Sequence, residues 1–314
     1  MTGNFKIYLL TALLIPSICL SECINGDCIN GQGVFKGNKY TYSGSFQNAQ
    51  FDGMGKKTYI SGLEYTGEFK NSQYNGKAVY IFANKNKYSG EFKDGLFSGQ
   101  GTLSFVNGEK YTGSFANDRF NGKGIFFYLN GEIYTGEFKN GAMQGQGEYK
   151  YPDGRLYIGS FANGLANGQG TMTLPSGEIY TGNFVNSEKH GYGELTYSNG
   201  EKYSGEFKNN RPDGKGTLRD LNRHIYKGIF KESGLNGFGT KTISEKERYT
   251  GNFKDGKFEG QGTYIYPDGK VYIGEWKNNR QNGHGIVTTL DGRVTDGFFV
   301  DGVLTDKSII KVQK

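Results

Sequence analysis

Between Tyr42 and Val294, short runs of alternating apolar and polar residues recur along the chain. The run Tyr88-Ser89-Gly90-Glu91-Phe92-Lys93 puts Tyr, Gly and Phe at alternate positions, with Ser, Glu and Lys between them. Side chains alternate between faces along an extended chain, so this run is a strand with one apolar and one polar face. A second run, Gly99-Gln100-Gly101-Thr102-Leu103-Ser104-Phe105, alternates in the same way, and two such runs predict a β-hairpin. The pattern repeats every 23 residues without insertion, on Tyr42, Tyr65, Tyr88, Tyr111, Tyr134, Tyr157, Tyr180, Tyr203, Tyr226, Tyr249 and Tyr272. Two positions after each Tyr stands Gly, from Gly44 to Gly274, and two further on stands Phe, or Trp276 in the last copy. The first Gly of the second run is present from Gly53 to Gly283, and its second is Gly except at Ala78.

Composition explains how such strands hold together. Gly accounts for 52 of 314 residues, and Tyr and Phe for 23 each. Gly weakens a strand by itself, but an aromatic ring laid across a glycine backbone restores the lost packing. Asn107-Gly108, Asn130-Gly131, Asp153-Gly154, Asn199-Gly200, Asp268-Gly269 and Asp291-Gly292 separate successive repeats and predict tight turns with both central residues at φ > 0. Asn84-Lys85, Asn222-Arg223 and Glu245-Lys246 depart from that rule, and the last predicts a wider or strained joint. The expected fold is all-β, an elongated single-layer antiparallel β-meander of about eleven hairpin repeats over residues 42–294. Thr295 replaces Tyr while Gly297 and Phe299 keep the pattern, so 295–314 read as a degenerate terminal hairpin and a basic tail from Asp306.

The N-terminus carries an address. Lys6 precedes an apolar run from Ile7 to Leu20, which is shorter than the ~20 residues a membrane span needs and fits the core of a signal peptide over 1–21. Cys19 and Ser21 are small residues at −3 and −1 for cleavage after Ser21. An uncleaved anchor is one alternative. A lipoprotein attached through Cys23 is another, since Leu20-Ser21-Glu22-Cys23 approximates a lipidation site. Cleavage leaves Cys23 and Cys28, and an even pair in an exported chain reads as a disulfide. That disulfide and lipidation of Cys23 exclude each other. The segment 22–41 then forms an N-terminal cap, with a half-repeat at Asn30–Phe35. The expected location is the periplasm, the outer membrane or the cell surface.

Tyr-Thr-Gly-Glu-Phe-Lys followed by Gly-Gln-Gly-Thr, in register every 23 residues, resembles the MORN repeat (membrane occupation and recognition nexus) over about residues 30–304. The resemblance implies a curled β-meander that associates with other proteins, dimerises, or associates with anionic lipid. The lead-in Cys23–Cys28 and Asn30-Gly31-Gln32-Gly33 is similar to that of bacterial envelope members.

Few residues carry a pattern that chemistry would need. Glu68, Glu91, Glu137, Glu206 and Glu275 form one column, each two residues before a Lys, and read as solvated ion pairs. His190, His224 and His284 fall in separate repeats without metal-ligand spacing, and there is no phosphate-loop or nucleophile-elbow motif. No catalytic residue, cofactor or metal is expected. The net charge of +6 is spread along the chain, which argues against nucleic acid. One column departs from the periodic background: nine residues after Tyr stand Phe51, Tyr74, Phe97, Phe120 and Met143, then smaller or polar residues in most later copies. Two readings stand: these side chains cap the neighbouring core, or they form an exposed interaction ridge. The expected function is a non-enzymatic exported scaffold with an unidentified protein partner or a second copy of itself. The alternative is a module for a membrane surface or anionic lipid.

Overall fold

The computed structural model describes residues 21–232 and 234–310, with side chains as far as Asp306. The signal segment read at 1–21 lies, apart from Ser21, outside the described residues, and so do residues 311–314 of the tail. All regular structure among the described residues is β-strand. The chain divides into two compact units, one ending at Asp118 and one beginning at Arg119. The first opens with β1 (Glu22–Gly26), β2 (Gln32–Lys36), β3 (Tyr40–Gln47) and β4 (Gln50–Tyr59), each antiparallel to the next. The second follows the same plan from Arg119–Phe127 to Val303–Ile310.

One repeat shows why the sequence folds this way. The strand Lys87–Lys93 pairs with Leu96–Ser104, with Tyr88 opposite Leu103, Gly90 opposite Gly101 and Phe92 opposite Phe97. Tyr88 and Phe92 are buried while Lys87, Ser89 and Lys93 are exposed, as the alternation predicts. The Tyr88 ring lies over the glycine pair: a Cβ added at Gly101 would sit 2.5 Å from it. That close approach is what requires glycine there. A ring of this size buries about 150–250 Å², an upper bound of about 4–6 kcal/mol at 25 cal/mol/Å². The register slips after Gly90, so that Gly99 and Gln100 form a bulge, and Gly99 takes φ 61°. The Tyr88 hydroxyl donates to the Glu91 carbonyl at this bulge, 2.9 Å away.

The turns differ from expectation. Both central residues are left-handed inside the repeats, as at Asn48-Ala49 and Asp94-Gly95, rather than at the Asn-Gly junctions between them. At Asn107-Gly108 only the glycine is left-handed; the Phe105 carbonyl accepts from Gly108 N–H at 3.0 Å, and Asn107 Oδ1 accepts from Glu109 N–H at 3.1 Å. This is a type I turn closed by a glycine bulge, and the Asn side chain stabilises it by capping the N–H two residues on. Strain sits at Lys85 and Arg223, non-glycine residues with φ 70° and 67°. Glu245-Lys246 is instead a narrow two-residue link between Ser244 and Glu247, with Ile243 displaced from the register and no left-handed residue. The segment expected as a tail from Asp306 is strand as far as Ile310, where it pairs with Val294.

The repeat beginning at Tyr226 breaks the rule that the Tyr ring covers the glycines. Leu235, 2 % exposed, covers Gly228 and Gly239 instead. Tyr226 is only half-buried, with the Lys241 ammonium 4.7 Å from its ring centre. Leu304 similarly approaches Gly297, where Thr295 has no ring to offer.

Candidate interaction surface

Phe51, Tyr74 and Phe97 of the column from Phe51 to Met143 pack on core tyrosines and do not stand out as an exposed ridge. Phe51 and Phe97 are 8 % and 9 % exposed. Phe51, Tyr74 and Phe97 lie parallel to Tyr42, Tyr65 and Tyr88, each with ring centres 3.9 Å apart. The hairpin turns each of these rings back onto the Tyr nine residues earlier, and the strand Phe, at 5.1 Å from Tyr42 in the case of Phe46, meets it edge-on. Phe120 and Met143 in the second unit are half-buried. Burial raises the phenol pKa values of the core tyrosines, to about 12 at Tyr42, where nearby Asp52 adds to the effect, and at Tyr180.

The Glu column also differs from expectation. Its carboxylates lie against the bulges: Gln100 N–H donates to Glu91 Oε1 at 3.3 Å and Lys215 N–H to Glu206 Oε2 at 2.9 Å. Among the described residues, none of Glu68, Glu91, Glu137, Glu206 and Glu275 forms an ion pair with the Lys two residues on. Cys23 and Cys28 are bonded through their sulfurs, with Cα atoms 6.0 Å apart. His224 Nδ1 lies 2.9 Å from Asp220 Oδ2, and His284 pairs with Asp296. Among the described residues no three His, Cys, Asp or Glu side chains converge as metal ligands. A cavity of about 870 Å³ in the first unit is lined by Glu68, Glu91, Asp94, Lys70, Lys77 and Lys93, so charges of both signs face it.

The exposed apolar side chains lie in turns, as at Ile60 and Leu290, and on the polar face of the strands. In the second unit Ile158 is 50 % exposed, Tyr192 64 %, Phe238 67 %, Ile273 54 % and Phe298 54 %. Ile273 faces Ile286 across the strand pair, and the His284 ring meets Phe298 at 5.7 Å. The sequence did carry a signal for them. They occupy the variable positions inside Tyr-x-Gly, Gly-x-Gly and, for Phe298, Gly-x-Phe, where most other copies hold polar residues.

The MORN repeat family matches residues 42–64, 65–87, 88–110, 111–133, 134–154, 157–179, 180–202, 203–220, 249–271 and 272–292. The skipped copy is the one in which Leu235 replaces the Tyr ring over the glycines. No curated protein matches significantly. Among solved structures, the TCP10 domain of Danio rerio CPAP, in complex with a peptide of Danio rerio STIL, is 15 % identical with a TM-score of 0.42, covering 75 % of this chain and 99 % of that one. The TCP domain of SAS-4 in complex with a proline-rich motif of Ana2, from Drosophila melanogaster, is 14 % identical with a TM-score of 0.34, covering 58 % and 99 %. A streptogramin B lyase is 13 % identical with a TM-score of 0.14, covering 89 % and 94 %. At such TM-scores these likenesses carry no functional argument.

Proposed function

We propose, from the premise that this chain belongs to the MORN-repeat family, that it is a non-enzymatic exported scaffold binding proteins through the outer face of its hairpins. The observation that carries this reading is the set of apolar side chains on that face, from Ile158 to Phe298. The fold does not require them, since polar residues serve the same positions in other copies. A contiguous apolar patch favours contact with another protein surface, and Ile273, Ile286 and Phe298 lie on three successive paired strands. A second copy of the chain is one such partner. Export is supported by the apolar run Ile7–Leu20 and by the Cys23–Cys28 bond, which persists in oxidising compartments and leaves no Cys23 sulfur for a lipid. Binding to anionic lipid rests on the MORN resemblance and the net charge of +6, and vesicle flotation at low and high salt tests it.

The test places a photoreactive amino acid at Tyr192, Phe238 or Phe298, and at Ser176 in an exposed turn as a control, in the native host. Protein adducts from the outer-face positions and none from the turn support the reading. Equal or absent crosslinking at all positions overturns it. The mass of the mature N-terminus tests export independently.

A further inference from the structure

Three departures from the repeat meet at one turn. Lys202 and Arg219 face each other across a strand pair. No other copy of the repeat has two cations at these positions, which elsewhere pair Ile133 with Lys150 or Ile179 with Thr196. Like charges directly opposite on a sheet are destabilising. The turn after Arg219 then holds Arg223 at φ 67°, where most copies have Gly. Lys85 carries the same backbone strain, but the pair beside it is Lys87 and Ser104. Lys202, Arg219 and Arg223 line one cavity of about 340 Å³ together with Asp220. Among the described residues none of the three cations forms an ion pair. Asp220, the one acid in the lining, is committed to His224. Its Oδ1 accepts from His224 N–H at 2.9 Å, and its Oδ2 lies 2.9 Å from His224 Nδ1.

We propose that this cavity binds a phosphate group, as inorganic phosphate or as the monoester end of a larger molecule. The chemistry of the lining selects the charge. Two guanidinium groups and one ammonium present N–H donors and no acceptor. A guanidinium fork matches the paired oxygens of a phosphate, and a lysine adds a point charge. A dianion held among the three cations removes the repulsion between Lys202 and Arg219, which no acid of the lining offsets. The strain at Arg223 has the same reading. A side chain at that turn position costs backbone strain that glycine would avoid, and what it adds is a third cation beside the cavity. Both costs are confined to this copy, and a bound oxyanion offsets them together. All three side chains are exposed, so a ligand reaches them directly from solvent. Ligand pockets span ~300–1,000 Å³, and this one, near the lower end, suits a phosphate with a small organic group. The site does not depend on the protein contacts proposed above.

The full mature chain is titrated with inorganic phosphate at fixed pH and ionic strength, with chloride as the reference anion. The guanidinium nitrogens of Arg219 and Arg223 are followed by NMR. Saturable shifts of both, with a rise in melting temperature, are expected. Arg223→Gly and Lys202→Ile install residues that other copies use at these positions, so both variants should fold. Each should weaken phosphate binding by about tenfold. Each should also raise the melting temperature measured without phosphate, which a merely structural surface charge would not do. Lys85→Gly, at the same turn position in the first unit, should leave phosphate affinity unchanged. Vesicles of phosphatidylcholine with and without phosphatidic acid distinguish the sources of the group. Sedimentation with phosphatidic acid that Arg223→Gly abolishes assigns it to a lipid headgroup, and no sedimentation assigns it to a soluble molecule. No saturable shift with phosphate, unchanged affinity in folded Arg223→Gly and Lys202→Ile, or an equal loss in Lys85→Gly overturns the proposal.

Discussion

The hydroxyl groups of the core tyrosines should stabilise the array one repeat at a time, and the chain contains its own control. Tyr180 is fully buried and donates to the Asn183 carbonyl at 2.9 Å. Tyr226, half-buried and displaced by Leu235, makes no such bond. Tyr180→Phe keeps the ring over Gly182 and Gly193 and removes only the hydroxyl. The lost bond is worth about 0.5–1.5 kcal/mol, and a part-buried carbonyl left without its donor adds to that, so about 1–2 kcal/mol is expected. Tyr226→Phe should change stability by less than about 0.5 kcal/mol. Repeat arrays open locally, so the assay is peptide-resolved hydrogen exchange over the strands Ile179–Val185 and Glu188–Thr196. A loss of about 1.4 kcal/mol appears as tenfold faster exchange there. Unchanged exchange in Tyr180→Phe, or equal loosening by Tyr226→Phe around its own strand, would refute the reasoning.

Two further outcomes follow from the same structure. Burial raises the pKa of Tyr111, Tyr157 and Tyr180 to about 12, so the folded state keeps protons that the unfolded chain releases near pH 10. Their contribution is complete below pH 10 and is lost as pH rises toward 12, by about 1.4 kcal/mol per tyrosine at pH 11. Tyrosinate absorbance from the core tyrosines should therefore rise together with loss of the β-sheet circular dichroism signal; complete titration of every tyrosine near pH 10 with the sheet intact would contradict it. At the N-terminus every residue of β1 is exposed, so the Cys23–Cys28 bond is what the strand has besides its pairing with β2. Cys28→Ser should speed exchange in β1, by at most about 2 kcal/mol for so short a loop, and leave β3 and β4 unchanged.

The strands and their faces were legible in the sequence because two periods coincide there, alternation within a run and the 23-residue interval between runs. The turns were not, because Asn-Gly serves two geometries. It supplies two left-handed residues in one, and a side-chain cap with one left-handed glycine in the other. Only pairing distinguishes Asn140-Gly141 from Asn107-Gly108. The fate of Phe97 was ambiguous for a related reason. A large apolar residue beside a turn reads alike as core or ridge, until the bulge at Gly99 and Gln100 brings Phe97 opposite Phe92 and onto Tyr88. The same bulge presents Gln100 N–H to Glu91, so the acids serve the backbone and not the lysines that alternation placed beside them.

What the fold demands of each repeat is narrower than the motif suggests. The glycine pair must be covered, but the cover can come from Tyr88 in one copy and Leu235 in another. A motif position can therefore change without loss of the strand pair when a neighbour supplies the missing surface. Ile273 and Phe298 stand where folding asks for nothing, so their exposure is not explained by stability. Ala166 stands where other copies hold a ring, yet Tyr157 is only 1 % exposed, so other side chains supply its cover. Departures such as the surplus apolar surface at Ile273 and Phe298 are the positions at which one copy of the repeat comes to differ chemically from the next.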